Sequence, residues 1–276
     1  WLTLVYFPAC HMVWGGGLLA QWGVIDFAGG LVVHLTCGVG ALVAAVMLGK
    51  RRGFPGSAMP PHNRSLVVMG AAMLWVGWFG FNAGSAVAAS EDAGMAMLVT
   101  HISAALAAFT WMTIEWIKQG KPTVVGIATG MVAGLATITP AAGTVGPEGA
   151  LLIGLSAGVV CYYATQAVKG VFGIDDSLDV FPVHGVGGML GIILLSFLGT
   201  PGGFLGSGAG GIAEGGPMAQ LVIQLKGILV IGAWTAVASW AILKLVALVT
   251  DLRVSEESEN EGLDVTEHEE RSYDLT

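Results

Sequence analysis

Charged side chains are scarce in this sequence. Lysine, arginine, aspartate and glutamate make up 11% of its 276 residues, whereas a soluble domain carries roughly 25%. Hydrophobic residues account for 54% of the chain. Because charge on this scale cannot cover the surface of a water-soluble fold, the composition excludes an ordinary soluble protein and indicates a membrane protein.

Cysteine is rare as well. Cys10, Cys37 and Cys161 lie in or beside apolar runs at no metal-ligand spacing, and we interpret them as small buried hydrophobic residues. The apolar runs also lack the alternation of polar and apolar residues that transmembrane strands require. We therefore expect neither a strand-based membrane fold nor a cysteine metal site, and we predict no cofactor.

Apolar runs of the length that spans a bilayer, about 20 residues, recur along the chain. They predict an all-α polytopic membrane protein with a transmembrane domain at 1–250 and an acidic tail at 251–276. A partial span ends near Trp14, and because the opening WLTLVYFPAC is already apolar, we expect the chain to begin inside a helix. About seven complete spans are predicted, at 27–49, 65–87, 95–117, 122–139, 149–168, 180–199 and 219–249.

Lysine and arginine fall on one side of these spans. One set of loops and the tail hold Lys50, Arg51, Arg52, Arg64, Lys118, Lys121, Lys169, Arg253 and Arg271, whereas the loops at 15–26, 88–94, 140–148 and 200–218 hold none. Cytoplasmic loops are enriched in these residues. The sequence therefore predicts a cytoplasmic tail and places Trp14 on the outer side of a cell membrane.

Two histidines lie deep inside apolar runs, His34 in AGGLVVHLTCGVG and His184 in DVFPVHGVGG. Ionisable side chains in a membrane are costly and are functional-site candidates. The two spans enter from opposite sides, so the histidines can meet near the membrane middle, pass a proton or bind a small polar molecule. A metal site is an alternative if His101 supplies a third ligand, but no cysteine or carboxylate completes a tetrahedral set.

An aspartate precedes each of these histidines. Asp26 lies just before a predicted helix, where it can cap free backbone N–H groups or shape the field of an outer vestibule. Asp179 has a matching position before the His184 span. Similar contents with opposite entry are typical of an inverted-topology repeat.

The segment WVGWFGFNAGSA ends a span on the outer side and contains Trp78, Phe81 and Ser85. Aromatic residues are common at the membrane interface. Together with Trp14, however, they can form an aromatic cage that attracts a cation, while Ser85 accepts a hydrogen bond. Such a site suits a small cation that carries N–H groups.

The chain resembles the ammonium transporter family (Amt/Mep/Rh), on the Amt side. The motifs that carry the resemblance occur in order, from HMVWGGG and DFAGG through GKRRGF, PHN, GWFGFNAGSA, GKP, ITPAAG and DDSLDVFPVHGVGG to EGLDV. The resemblance implies an ammonium-transporter fold with inverted five-helix repeats. It also implies a chain that lacks roughly the first third of an eleven-helix protein, and a transporter rather than an enzyme.

The resemblance further implies a role for each site residue. His34 and His184 correspond to the twin histidines of a hydrophobic pore, and Trp14 and Ser85 to the outer ammonium-recruitment site. Phe81 corresponds to one of two gate phenylalanines. Asp26 corresponds to an aspartate near the vestibule that the family needs for transport, and Trp78 lies close to the pore.

The partners implied are ammonium or ammonia, the lipid bilayer, two further copies in a homotrimer, and a PII signalling protein at the cytoplasmic face, with no nucleic acid. The tail reads HEERSY where family members often have a glycine after the histidine, so Glu269 departs from the pattern. Two alternatives stay open: an ammonium sensor with the same fold, and a channel for a neutral solute such as water.

Overall fold

Helices account for the regular structure of this chain. The computed structural model describes residues 1–199, 213, 215–271 and 273, and within them there is no strand. Seven helices in this described part are long and apolar enough to cross a membrane. We number the helices α1 (Leu2–Gln21), α2 (Gly30–Leu48), α3 (Arg64–Gly84), α4 (Glu91–Gln119), α5 (Val124–Ile138), α6 (Pro147–Val171), α7 (Phe181–Leu198) and α8 (Pro217–Val246). The prediction of an all-α polytopic membrane protein is confirmed.

The predicted bounds of the seven complete spans differ from the observed ones by four residues or fewer. Helix α1 continues past Trp14, through a break at Gly15–Gly17, to a last turn at Leu18–Gln21. Helix α5, predicted at 122–139, has only 15 residues, or roughly 22 Å at 1.5 Å per residue. It ends before Pro140, which has no backbone N–H to donate to the Ala136 carbonyl oxygen four residues earlier.

Small residues let the central helices approach closely. A side chain at Gly134 of α5 would lie 2.5 Å from the Ser103 carbonyl oxygen of α4, and one at Gly154 of α6 would lie 2.7 Å from the same oxygen. The Ser103 hydroxyl also donates to the Gly134 carbonyl oxygen at 2.9 Å. Helices in membranes associate through such small residues, so α4, α5 and α6 form a closely packed layer.

Both histidine spans begin with a π-helical segment, Gly30–Leu35 in α2 and Phe181–Gly185 in α7. The two spans run antiparallel and cross at glycines. A side chain at Gly38 would overlap the backbone of Gly185, and one at Gly188 would lie 2.6 Å from the Gly30 carbonyl oxygen. Each of these two glycines, Gly38 and Gly188, follows its histidine by four residues, so both histidines lie at the crossing.

Ion pairs join the loops at the end of the bundle that carries Lys50. Arg51 binds the Asp175 carboxylate through two side-chain bonds of 2.9 and 2.7 Å, and this guanidinium holds the pKa of Asp175 below its usual range. Arg253 donates to the carbonyl oxygens of Leu48 and Lys50 at 3.2 and 2.8 Å. The tail is thereby attached to the end of α2.

The tail has more structure than its composition predicts. Its described residues form two short helices, α9 (Glu256–Glu261) and α10 (Leu263–His268), where the acidic composition favours a solvated, partly disordered end. Glu259 of α9 pairs with Arg253. Glu269, which ends α10, adopts a left-handed conformation with φ of 56°, which glycine adopts more readily than other residues.

The glycine crossing generates a testable prediction. Gly38→Ala should lower the free energy of unfolding by about 1–3 kcal/mol, because the added methyl group meets backbone that cannot yield without moving a helix. Thermal unfolding of the full-length protein in detergent measures the change. Gly232→Ala in α8 is the matched control, since nothing lies within 4 Å of its added methyl group. Equal stability of the two variants would contradict a close crossing.

Candidate functional site

His34 and His184 meet at the crossing of α2 and α7. Their Nδ1 atoms are 3.2 Å apart, and the ring centroids are 5.2 Å apart. His34 is 2% exposed. A neutral imidazole has one donor and one acceptor nitrogen, so this contact requires the two rings to be opposite tautomers. The two Nε2 atoms, which lie outside this contact, then comprise one donor and one acceptor.

Trp78 covers the two imidazoles. Its ring stacks on His34 at 5.3 Å between centroids and on His184 at 6.3 Å, with interplanar angles of 20° and 15°. The indole N–H donates to the Thr139 hydroxyl oxygen at 3.0 Å, which fixes the ring plane. Phe81 lies one helical turn further along α3 and makes an edge contact with Trp78 at 5.6 Å.

An apolar cavity of 610 Å³ opens beside the histidine pair. Its lining comes from α2, α3 and α7 and consists of Val33, His34, Cys37, Gly70, Met73, Leu74, Gly77, Trp78, Phe81 and His184. The Nε2 atom of His34 is buried and has no hydrogen-bond partner among the described residues. A buried polar atom of this kind is costly, and it belongs to a side chain that lines the cavity.

Asp26 organises the start of the His34 span. Its carboxylate accepts hydrogen bonds from the backbone N–H groups of four successive residues, Gly29, Gly30, Leu31 and Val32, at 3.0, 2.6, 2.8 and 3.2 Å. These are the N–H groups that a helix start leaves without partners, and a carboxylate complements the positive end of the helix dipole. The contacts of Asp26 are therefore those of a residue that caps the start of a helix, as one of the two interpretations of the sequence expects.

At the start of the His184 span, Asp176 rather than Asp179 takes the matching position. The Asp176 carboxylate accepts hydrogen bonds from the backbone N–H groups of Val180 and Phe181 at 3.0 and 2.7 Å. Asp179 instead pairs with Lys169 at 2.8 Å and has a left-handed backbone with φ of 56°. The assignment of Asp179 by its nearness to His184 is corrected. Asp176 and Asp26 each precede their histidine by eight residues, a spacing that would have identified Asp176.

Trp14 lies at the break in α1, and Ser85 directly follows the last residue of α3 at the other end of the bundle. Trp14 is 43% exposed, and its indole N–H donates to the Asp26 carbonyl oxygen at 2.7 Å. The Ser85 hydroxyl donates to the Phe81 carbonyl oxygen at 2.8 Å, which leaves the lone pairs of the hydroxyl available. Among the described residues, no hydrogen bond or ring contact joins Trp14 to Ser85.

His101 does not join the histidine pair. Its ring contacts Trp75 at 5.2 Å and Phe79 at 6.0 Å between centroids. In the part of the chain that the structure describes, no group of three His, Cys, Asp or Glu side chains is placed to hold a metal ion. The ligand set of His34, His184 and His101 is therefore not brought together.

These helices define a polytopic membrane protein in which two contacting histidines line an apolar cavity. More particularly, the chain belongs to the Ammonium Transporter Family, whose sequence model matches residues 1–273. The resemblance drawn from the ordered motifs is confirmed. The chain is 46% identical over 275 residues to an ammonium transporter of Aquifex aeolicus, covering 100% of this chain and 63% of that protein. It is 47% identical over 274 residues to ammonium transporter Amt1 of Archaeoglobus fulgidus, covering 99% of this chain and 68% of that protein.

Solved structures share the fold. The crystal structure of Saccharomyces cerevisiae Mep2 matches with a TM-score of 0.84 and 38% identity, over 93% of this chain and 59% of that one. A sensor Amt protein matches with a TM-score of 0.88 and 32% identity, over 96% of this chain and 67% of that one. The chain thus spans 59–68% of the length of these relatives, two of which are named as ammonium transporters and none as an enzyme.

The capping contacts of Asp26 generate a prediction. Asp26→Asn should lower the free energy of unfolding of the full-length protein by about 2–3 kcal/mol, because an amide loses one acceptor oxygen and turns two N–H donors towards backbone donors. Thermal unfolding in detergent measures the loss. Asp92→Asn, at an exposed helix start, is the control and should stay within about 0.5 kcal/mol of the wild type. A similarly small effect at Asp26 would refute its capping role.

Proposed function

We propose that the full-length protein transports ammonium across the cell membrane. The observation that carries the proposal is the contact between His34 and His184 beside an apolar cavity, in a chain of the Ammonium Transporter Family. Two facing imidazoles in an apolar lining suit a small polar molecule that forms hydrogen bonds and exchanges protons.

Capture begins at Trp14 and Ser85. Aromatic faces attract cations, and the exposed Trp14 ring offers such a face at the break in α1. The Ser85 hydroxyl has lone pairs free to accept an N–H donor. A cation with several N–H groups can bind both, and ammonium is the smallest of these.

Deprotonation follows near Phe81, which acts as the gate. Moving a bare cation through hydrocarbon costs several kcal/mol, whereas neutral ammonia crosses at lower cost along His34 and His184. Potassium is attracted by the same aromatic faces, but it has no proton to lose. The deprotonation step therefore selects ammonium over potassium.

The histidine pair offers a route for the proton. Because the two Nδ1 atoms share one hydrogen bond, a proton that arrives at one end of the pair can leave from the other after one transfer between the rings. Ammonia and its proton then cross by separate routes. The pair can alternatively line the wall while the proton moves elsewhere.

The tail and the basic loops lie on the cytoplasmic side. Arg51, Lys169 and Arg253 all take part in contacts at the Lys50 end of the bundle, which is where the positive-inside rule puts the cytoplasm. Trp14 and Asp26 then lie at the outer vestibule, and the domain at 1–250 is the transporter proper. The family resemblance supports a homotrimer with one pore in each subunit.

A PII signalling protein is a candidate partner of the tail. The two short helices α9 and α10 present an acidic surface beside the inner end of α2. Glu269 replaces the glycine that is frequent in the family at a left-handed position, so its end of α10 is less stable than a glycine would make it.

An ammonium sensor is the second candidate function, and the match to a sensor Amt protein favours it specifically. A sensor and a transporter bind the same ion but differ in flux. Ammonium-driven current from wild-type protein in liposomes supports transport, whereas binding without current supports a sensor. Water flux without ammonium current would support a channel for a neutral solute.

The histidine pair can be tested by current. In liposomes that carry the full-length protein, His34→Ala combined with His184→Ala should lower the ammonium-driven current at least about tenfold, equivalent to a barrier increase of ~1.4 kcal/mol. His101→Ala is the control, because its ring lies outside the cavity lining. Retention of ammonium-selective current with potassium excluded in the double variant would rule out the relay.

Recruitment can be tested by affinity. Trp14→Leu should raise the half-saturating ammonium concentration about fivefold, since one exposed cation–π contact contributes about 1 kcal/mol. Trp22→Leu is the control, because the Trp22 ring instead faces Lys226 at 5.9 Å. An unchanged concentration dependence in Trp14→Leu would remove this residue from the recruitment site.

A further inference from the structure

Two glutamines are buried in the apolar helix α8. Gln224 is 0% exposed and Gln220 is 1% exposed, and their spacing of four residues puts them on one face of the helix. Burial of an amide in such surroundings is costly unless hydrogen bonds compensate. The proposed transport steps use neither residue, so their hydrogen-bond partners indicate what they do.

Both amides bind the backbone of the segment at 23–25. Gln224 pairs with Ile25 in both directions, because its Oε1 accepts from the Ile25 N–H at 3.1 Å and its Nε2 donates to the Ile25 carbonyl oxygen at 2.6 Å. Gln220 donates to the Gly23 carbonyl oxygen at 3.1 Å and accepts from the Ala213 N–H at 2.9 Å. The two glutamines of α8 thus form the hydrogen bonds that water would otherwise form with this non-helical segment.

The held segment leads directly into Asp26. The Asp26 carbonyl oxygen accepts the indole N–H of Trp14, and its carboxylate caps the start of the His34 span. On the other side of Asp26, the Phe27 N–H donates to the Pro140 carbonyl oxygen at 3.1 Å. Gln224 therefore restrains Ile25, and through it the next residue, Asp26, which orients Trp14.

We infer that Gln224 is a positioning residue for ammonium recruitment, which acts through Ile25 and Asp26 on the orientation of Trp14. The inference rests on the proposed transport function, because it assigns Trp14 to the recruitment site. Gln220 restrains the same segment through a single bond at Gly23 and contributes in the same direction to a smaller extent.

The test compares Gln224→Met with Thr235→Val in the full-length protein. Methionine has nearly the volume of glutamine and forms neither bond, so the half-saturating ammonium concentration should rise about fivefold, the equivalent of losing a neutral hydrogen-bonded pair. The maximal current should stay within about twofold, since the histidine pair is untouched. Thr235 is the matched control because it is buried in α8 and its hydroxyl has no hydrogen-bond partner among the described residues.

A second measurement reads the orientation of Trp14 without transport. The ¹⁹F resonance of 5-fluorotryptophan at position 14, assigned by its loss in Trp14→Phe, should shift in Gln224→Met and stay in place in Thr235→Val. If Gln224→Met does not fold, Gln220→Met replaces it under the same criteria, with a smaller expected shift.

The outcomes separate the inference from the proposed function. A shifted resonance together with a raised half-saturating concentration supports the inference. An unchanged resonance overturns it, and so does a fall in maximal current at an unchanged half-saturating concentration, which is the effect of a merely structural residue. If the wild type carries no ammonium current, the transport proposal fails, and the resonance alone decides whether Gln224 orients Trp14.

Discussion

The close crossing of two antiparallel membrane spans is the constraint on which the rest of the site depends. Two imidazoles reach hydrogen-bond distance only if their backbones lie unusually near each other, and Gly38 and Gly188 make that approach possible. A histidine that met lipid instead would leave its ring nitrogens unsatisfied at considerable cost. The π-helical segments, the capping aspartates and the stacked Trp78 all stabilise this one arrangement.

Polar groups buried in the bundle bind backbone where helices begin or are interrupted. Asp26 and Asp176 bind the N–H groups at the starts of the histidine spans, and Glu115 binds the Thr123 N–H at the start of α5. Irregular backbone at membrane depth is tolerated only if protein groups replace water. The buried carboxylates thus supply the hydrogen bonds that the starts of these helices would otherwise lack.

Hydropathy predicted most of the fold, because the free energy of burying about 20 apolar residues in a bilayer outweighs local preferences. Its bounds for 122–139 were close, since the helix ends at Ile138, just before a proline that cannot continue it. Nearness along the chain, in turn, led from His184 to Asp179, because it does not reveal that Asp179 has a left-handed conformation while Asp176 caps the span. Gln224 was missed for a different reason: its partner lies 199 residues away, and no local pattern encodes that distance.

The shared hydrogen bond between the two Nδ1 atoms has a kinetic consequence. When a proton passes through such a pair, both rings emerge as the tautomers they were not before, and the pair is then polarised in the wrong direction for another proton from the same side. The tautomers must exchange back before the next passage. A pair that conducts in this way passes one proton and must then exchange its tautomers before it can pass the next. The slower of these two steps, proton transfer and tautomer exchange, sets the rate of proton conduction.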